Sequence, residues 1–288
     1  MDATSTATPH PDQPAGGRAN STDGPEYTAG SLDSAAQVLR RADDVAPAPV
    51  LSLTDEQLAG MDGDRADQLT ALPWLAEHAE HCEFAAGVGL RSLVASGQVQ
   101  ILIDRTEGGT GRRWQAVPVL DGCLVLRRAA NVVASVERTM NTTGGTQLNR
   151  LYYYAHPSGV LEEEVTASGI HHFTPLRPGQ VPERIAALVD PAGVSTAAAG
   201  GGGELGQDAA QDGVQDRAQD LAQRLAGTLA MSVVTVVRAA GGCVQQCNLA
   251  ATAQELLLIE GADAQVHARV LDADGLRQVA EQLIAFEA

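Results

Sequence analysis

Two mixed apolar and polar stretches, Val132 to Thr139 and Leu148 to Ala155, flank Asn141-Thr142-Thr143-Gly144-Gly145 and read as a β-hairpin. Pro157-Ser158-Gly159 turns the chain into a further strand, Val160 to Thr166. Ser168-Gly169 turns it into another, Ile170 to Thr174, and a helix over 178–189 closes the unit. From about Ser232 to Ile284 the plan recurs, with strands at Ser232–Arg238, Gln254–Glu260 and Gln265–Leu271. A last helix over 273–286 carries Leu276, Val279, Leu283 and Phe286 on one stripe. The two helical endings lie side by side in order, Gln180–Val189 with Leu276–Ile284, and so do Ile170–Phe173 and Gln265–Ala268. Two related units predict one pseudo-symmetric body, because stacked arrays need about three or more repeats.

The expected fold class is therefore α/β (α+β), with duplicated antiparallel-sheet units in a pseudo-twofold arrangement, packed helices and a disordered N-terminal tail. Residues 1–48 are assigned to the tail, since Thr, Ser, Pro, Gly and Asp dominate there with little apolar periodicity. Residues 49–191 form the first unit, 192–213 a flexible linker around Gly200–Gly203, and 214–288 the second unit of the same body. A polar helix over 214–229 carries Val214, Leu221, Leu225 and Leu229. Whether the two units pair within one chain or between the chains of a homodimer is left open.

Before the first repeat, Val50–Leu53 reads as a short strand. Thr54 with Gln57 three residues on suits a capping box at the start of a helix running towards Met61. Leu72-Pro73-Trp74-Leu75 turns the chain into the next helix, where Phe84, Val88 and Arg91 fall at helical spacing and Gly97 suits the C-terminal cap. Ile101–Ile103 and Gln115–Val117 read as strands around a Glu107–Gly111 loop. Cys123–Leu126 is an apolar run that fits strand or helix.

Composition narrows the function. Of 288 residues 44% are hydrophobic but only 3% aromatic, so the core rests on Ala, Val and Leu. All 19 basic residues are Arg, a bias of high-GC genomes such as those of actinobacteria. Without Lys there is no Schiff-base lysine and no phosphate loop ending in Gly-Lys-Ser/Thr. A net charge of −17 opposes nucleic acid as a partner and fits one with basic or apolar surfaces. No apolar run reaches the roughly 18 residues of a membrane span, and neither a span nor a secretory signal is expected. Cys82, Cys123, Cys243 and Cys247 read as scattered thiols of a cytoplasmic protein.

Candidate chemistry is sparse. His78-x-x-His81-Cys82 gathers three metal-capable side chains, short of the four of a structural zinc site, so no metal or cofactor is expected. Cys243 and Cys247 would face one side of a strand, too far apart for a disulfide. Glu162-Glu163-Glu164 reads as a solvated edge face rather than a pair of catalytic carboxylates. No nucleophile elbow, nucleotide fingerprint or His-Glu-x-x-His is present, and no enzyme is expected. Leu90–Val99 has the helix, Gly, strand order of a winged-helix DNA reader. It offers one Arg after an acidic helix, where base readout needs several donors. That regulator, and an enzyme of unrecognised class, are the alternative readings. Alternation over Arg150–His156 puts Arg150, Tyr152, Tyr154 and His156 on one face, a candidate protein-binding surface.

Leu51–Leu58 followed by Leu72-Pro73-Trp74-Leu75 resembles the opening of EspG-type proteins. Leu90–Val99 resembles their alanine-rich helix with its chain-reversing Gly, and the two strand-and-helix units resemble their quasi-twofold body. The resemblance covers roughly residues 50–288 and leaves out the tail. It implies a non-catalytic cytosolic chaperone of type VII (ESX) secretion that holds a client, typically a PE–PPE pair, soluble for export. No short motif carries individual binding residues over.

Overall fold

In the computed structural model of the chain, residues 27–43, 46–62, 70–106, 109–197, 221–238, 242–261 and 267–285 are described. A nine-stranded antiparallel sheet organises them. Its first unit contains β4 (Val132–Thr142), β5 (Gly145–His156), β6 (Gly159–Val165) and β7 (Ile170–Leu176), followed by α6 (Val181–Val189). The second contains β8 (Ala230–Arg238), β9 (Cys243–Ala251), β10 (Leu256–Glu260) and β11 (His267–Leu271), followed by α8 (Ala273–Ile284). The strand order is β1-β7-β6-β5-β4-β8-β9-β10-β11, with β1 at Leu51–Thr54.

β4 and β8 pair antiparallel about Val136 and Val234, so a pseudo-twofold axis between them relates β4 to β8, β5 to β9, β6 to β10 and β7 to β11. The units thus join within one chain. Helices α6 and α8 lie side by side on one face. Ile185, Val189, Leu276, Ala280 and Ile284 meet Ala134, Val136, Tyr153, Val234 and Val236 there in a continuous core. On the opposite face of the first unit, α1 (Ala29–Leu39) and α5 (Pro118–Ala129) cover Tyr152, Tyr154, Leu161 and Phe173.

The remaining elements precede this body. The Thr54–Gln57 capping box forms, with Thr54 N–H donating to Gln57 Oε1 at 3.0 Å and Gln57 N–H to Thr54 Oγ1 at 3.3 Å. It starts α2 (Asp55–Asp62), and α3 (Pro73–Glu77) and α4 (Cys82–Ala95) follow. Gly97 ends α4 at φ +75°, with the paired bonds Gly97 N–H to Val94 O and Gln98 N–H to Leu93 O of a Schellman motif. A separate hairpin, β2 (Val99–Thr106) with β3 (Gly109–Ala116), projects from the end of α4.

Several expectations need correction. Residues 29–39, assigned to the tail, form α1, which Val38 and Leu39 anchor in the core; residues 1–26 lie outside the described residues. Val194–Ala197, within the expected linker, form the short helix α7, and residues 198–213 lie outside the described residues. Of the polar helix expected over 214–229, residues 221–225 are helical, 226–229 have left the helix and lead into β8, and 214–220 lie outside the described residues. Cys123–Leu126 belongs to α5, with Pro118 opening the helix. Gly109–Gly111, expected in a loop, pair with Thr106, Arg105 and Asp104. The second unit has four strands, because the Cys243–Ala251 segment lies between β8 and β10 as β9.

Candidate functional site

The residues singled out at the surface turn inward. Tyr152 and Tyr154 are each 2% exposed beneath α1 and α5. The Tyr154 hydroxyl donates to Glu163 Oε2 at 2.5 Å, and the Tyr152 hydroxyl accepts the Ala71 N–H at 3.1 Å. Burial pushes the Tyr152 phenol up to about 12. His156 is half-buried with Nε2 donating to Leu126 O at 2.9 Å, and burial lowers its pKa. Arg150 alone reaches a cleft. It lines a space of about 940 Å³ between the outer end of β5, the Glu164–Ala167 turn and α6. A partner would meet the two tyrosines only after α5 and the Thr70–Ala71 segment, which bonds both hydroxyls, had moved.

Glu162-Glu163-Glu164 is not an edge device, because β6 lies between β5 and β7. Glu162 and Glu163 are fully buried on opposite faces and only Glu164 is exposed. Glu162 is held by the Arg184 guanidinium of α6 through a two-pronged ion pair. Glu163 sits at the centre of a buried charge network. Its Oε1 lies 2.6 Å from His171 Nδ1, and its Oε2 accepts from Arg127 Nε at 3.0 Å. His171 Nε2 lies 2.6 Å from Asp55 Oδ1, and Asp55 Oδ2 accepts the Trp74 and Leu75 N–H groups at the start of α3. Arg127 Nη1 and the Arg128 guanidinium both bind Asp62.

Both ring nitrogens of His171 face carboxylates, so both must donate, and the ring is an imidazolium. Burial disfavours that charge, but the bonds to Asp55 and Glu163 outweigh it and raise the pKa. For Glu163 burial again opposes the charge, and Arg127 with His171 outweighs it and lowers the pKa. Among the described residues the carboxylates of Asp55, Asp62 and Glu163 thus face the cations of Arg127, Arg128 and His171. His171, Glu163 and Asp55 are fully buried and do not line the cleft that Arg150 reaches. The network ties α2, α3, α5, β6 and β7 together.

The surface that remains is apolar. Val99 at the base of β2 is 1% exposed and belongs to the core, with Ala116 opposite it. Along β2 the same face continues outward to Ile101 and Ile103, which are 44% and 61% exposed. Trp114, directly opposite Ile101, is 50% exposed. The ribbon thus carries the core's apolar face beyond any covering element among the described residues. A second apolar surface runs along α4, whose buried stripe is Ala85, Gly89 and Leu93, leaving Phe84 and Val88 outside. Arg91 is also exposed. His78 stacks on Trp74 and bonds its carbonyl, while His81 and Cys82 are exposed. Among the described residues no group of three His, Cys, Asp or Glu side chains is arranged to hold a metal ion.

Fold and surface together define a mixed α/β protein with a duplicated sheet, a closed polar interior and exposed apolar elements at one end of its chain order. No family model matches the chain, and no curated protein matches it. Among solved structures it is similar to the Mycobacterium tuberculosis type VII secretion system chaperone EspG5, solved in complex with the PE25–PPE41 dimer. The match covers 81% of this chain and 95% of that chain, at a TM-score of 0.47 and 6% identity. Both values are too low to carry any residue's role from that protein to this one.

Proposed function

We propose that this protein is a non-catalytic binding protein that shields an apolar surface of a client, and that the client is a substrate of a type VII secretion system, of the PE–PPE kind. The observation that carries the binding role is the hairpin face of Ile101, Ile103 and Trp114. Soluble proteins seldom leave contiguous apolar side chains in water without a partner for them. Tryptophan is also among the residues that contribute most when buried at an interface. The acidity of the chain supports the same reading, since −17 opposes self-association and nucleic acid alike. The client class rests on the resemblance of residues 50–288 to EspG-type proteins, and with it the cytosol as the place of action. No helix among the described residues is long and apolar enough to cross a membrane.

The test is capture of an identified type VII substrate by the tagged chain and by its Ile103→Asp/Trp114→Ser variant. Both side chains are largely outside the core, so folding should be unaffected. The variant should lose about 2 kcal/mol or more of client affinity. Unchanged affinity, or recovery of DNA that competes at physiological salt, contradicts the proposal.

A further inference from the structure

A groove of about 580 Å³ lies between α3 and α4. Its floor is Ala85 and Gly89, two small residues one turn apart on α4. Trp74 and His78 of the α3 segment form one wall, their rings stacked at 4.3 Å. Phe84 and Val88 stand along the other, 77% and 48% exposed. Gly89 has no room for a side chain, because a Cβ there would come within 2.2 Å of the Glu56 carbonyl oxygen. The α2–α4 approach that requires this glycine also keeps the groove's floor shallow. The groove's charge is one-sided. Glu56 lines it, Glu80 sits beside the lining His81, and Glu83 is exposed in the first turn of α4. Arg91 is the exposed cation one turn past Val88.

We propose that this groove is a docking site for an amphipathic helix of a partner protein, with apolar anchors along one stripe and basic residues beside them. Apolar side chains spaced one turn apart along Phe84 and Val88 match the i, i+4 spacing of a helix laid in a groove. The Glu80 and Glu83 end selects the cationic end of that helix, and Arg91 disfavours running it the other way. This inference rests on the reading of the chain as a binding protein and adds a second site, separate from the hairpin.

The probe is a pair of synthetic helical peptides of about 18 residues, or five turns. Both carry the same Leu stripe, one flanked by Lys and the other by Glu; a third is Lys-flanked with the stripe replaced by Ser. Anisotropy titrations against the full chain should favour the Lys-flanked Leu peptide by about tenfold over either control. Phe84→Asp/Val88→Asp should weaken that peptide by about tenfold, and Glu80→Arg/Glu83→Arg should abolish or reverse the preference for Lys. The side chains replaced are exposed, and an unchanged melting curve checks that each variant folds. Equal binding of the peptides, or native binding by Phe84→Asp/Val88→Asp, overturns the proposal. Peptide binding that survives in the Ile103→Asp/Trp114→Ser variant keeps the two sites separate. Client capture lost at the hairpin but indifferent to groove variants, with no peptide binding, removes the groove and leaves the proposed function. Peptide binding without any identified client removes the proposed function and leaves the groove.

Discussion

His171 is the cation between two buried carboxylates, so His171→Ala leaves Glu163 with Arg127 alone as its ion-pair partner and Asp55 with only its two backbone N–H donors. Removing one partner from a buried ionic cluster costs about 3–5 kcal/mol, and urea denaturation should show a loss of that size. The pH dependence follows from the two directions. His171 has a folded pKa above its ordinary 6.5. Its stabilisation is fully present below 6.5 and is lost as pH rises through the folded value. Glu163 has a folded pKa below its ordinary 4.5. Its stabilisation is present above 4.5 and is lost as pH falls through the folded value. Stability from this network should be greatest between those two ordinary values and fall on both sides. In His171→Ala the alkaline decline should disappear, and melting temperatures across pH measure it. None of this was legible in the chain. Partners of the network stand 8, 36, 65 and 116 residues apart, and only the fold brings them together. The glutamate run looked solvated because local polarity carries no information about which strand is central.

At the scale of elements, α2 and α4 touch backbone to backbone through Gly60 and Gly89. Gly89→Ala forces the Glu56 carbonyl away and should cost about 1–3 kcal/mol, as overpacking does, with thermal melting as the readout. Local signals were readable where a short stretch contains the whole device. The Thr54–Gln57 box, the Gly97 cap and the Asn141–Gly145 turn need only neighbours in sequence. The β2–β3 hairpin was readable as strands, but its function was not. Periodicity identifies Ile101, Ile103 and Trp114 as one face without saying whether anything lies over it. The tyrosine strand fails in the opposite way, since alternation gave two faces and helices cover both. β9 gives no alternating signal because its outer half, Cys243–Gln246, is exposed on both faces, Val244 included.

At the scale of the molecule, the repeat was the most legible feature, because each unit ends in an amphipathic helix that must bury its stripe on the sheet. The structure adds that the two sheets are one. β4 and β8 pair over nine residues each, and α6 packs on α8 across the axis. The described body should therefore unfold in a single cooperative transition, with amide exchange slowest in β4 and β8 and fastest in the hairpin. Separate transitions for the two units would contradict a shared core.

The two proposed binding surfaces, the hairpin and the α4 groove, both lie outside the nine-stranded sheet. The central claim is that the hairpin's apolar face binds a secretion client. The measurement that tests it most directly is a tagged pull-down from the native host's cytosol, native chain against Ile103→Asp/Trp114→Ser, read by mass spectrometry. The account predicts that a small helical secreted protein, or a pair of them, is enriched by the native chain and lost with the variant. Equal recovery by both chains, or recovery of nucleic acid instead, would contradict it.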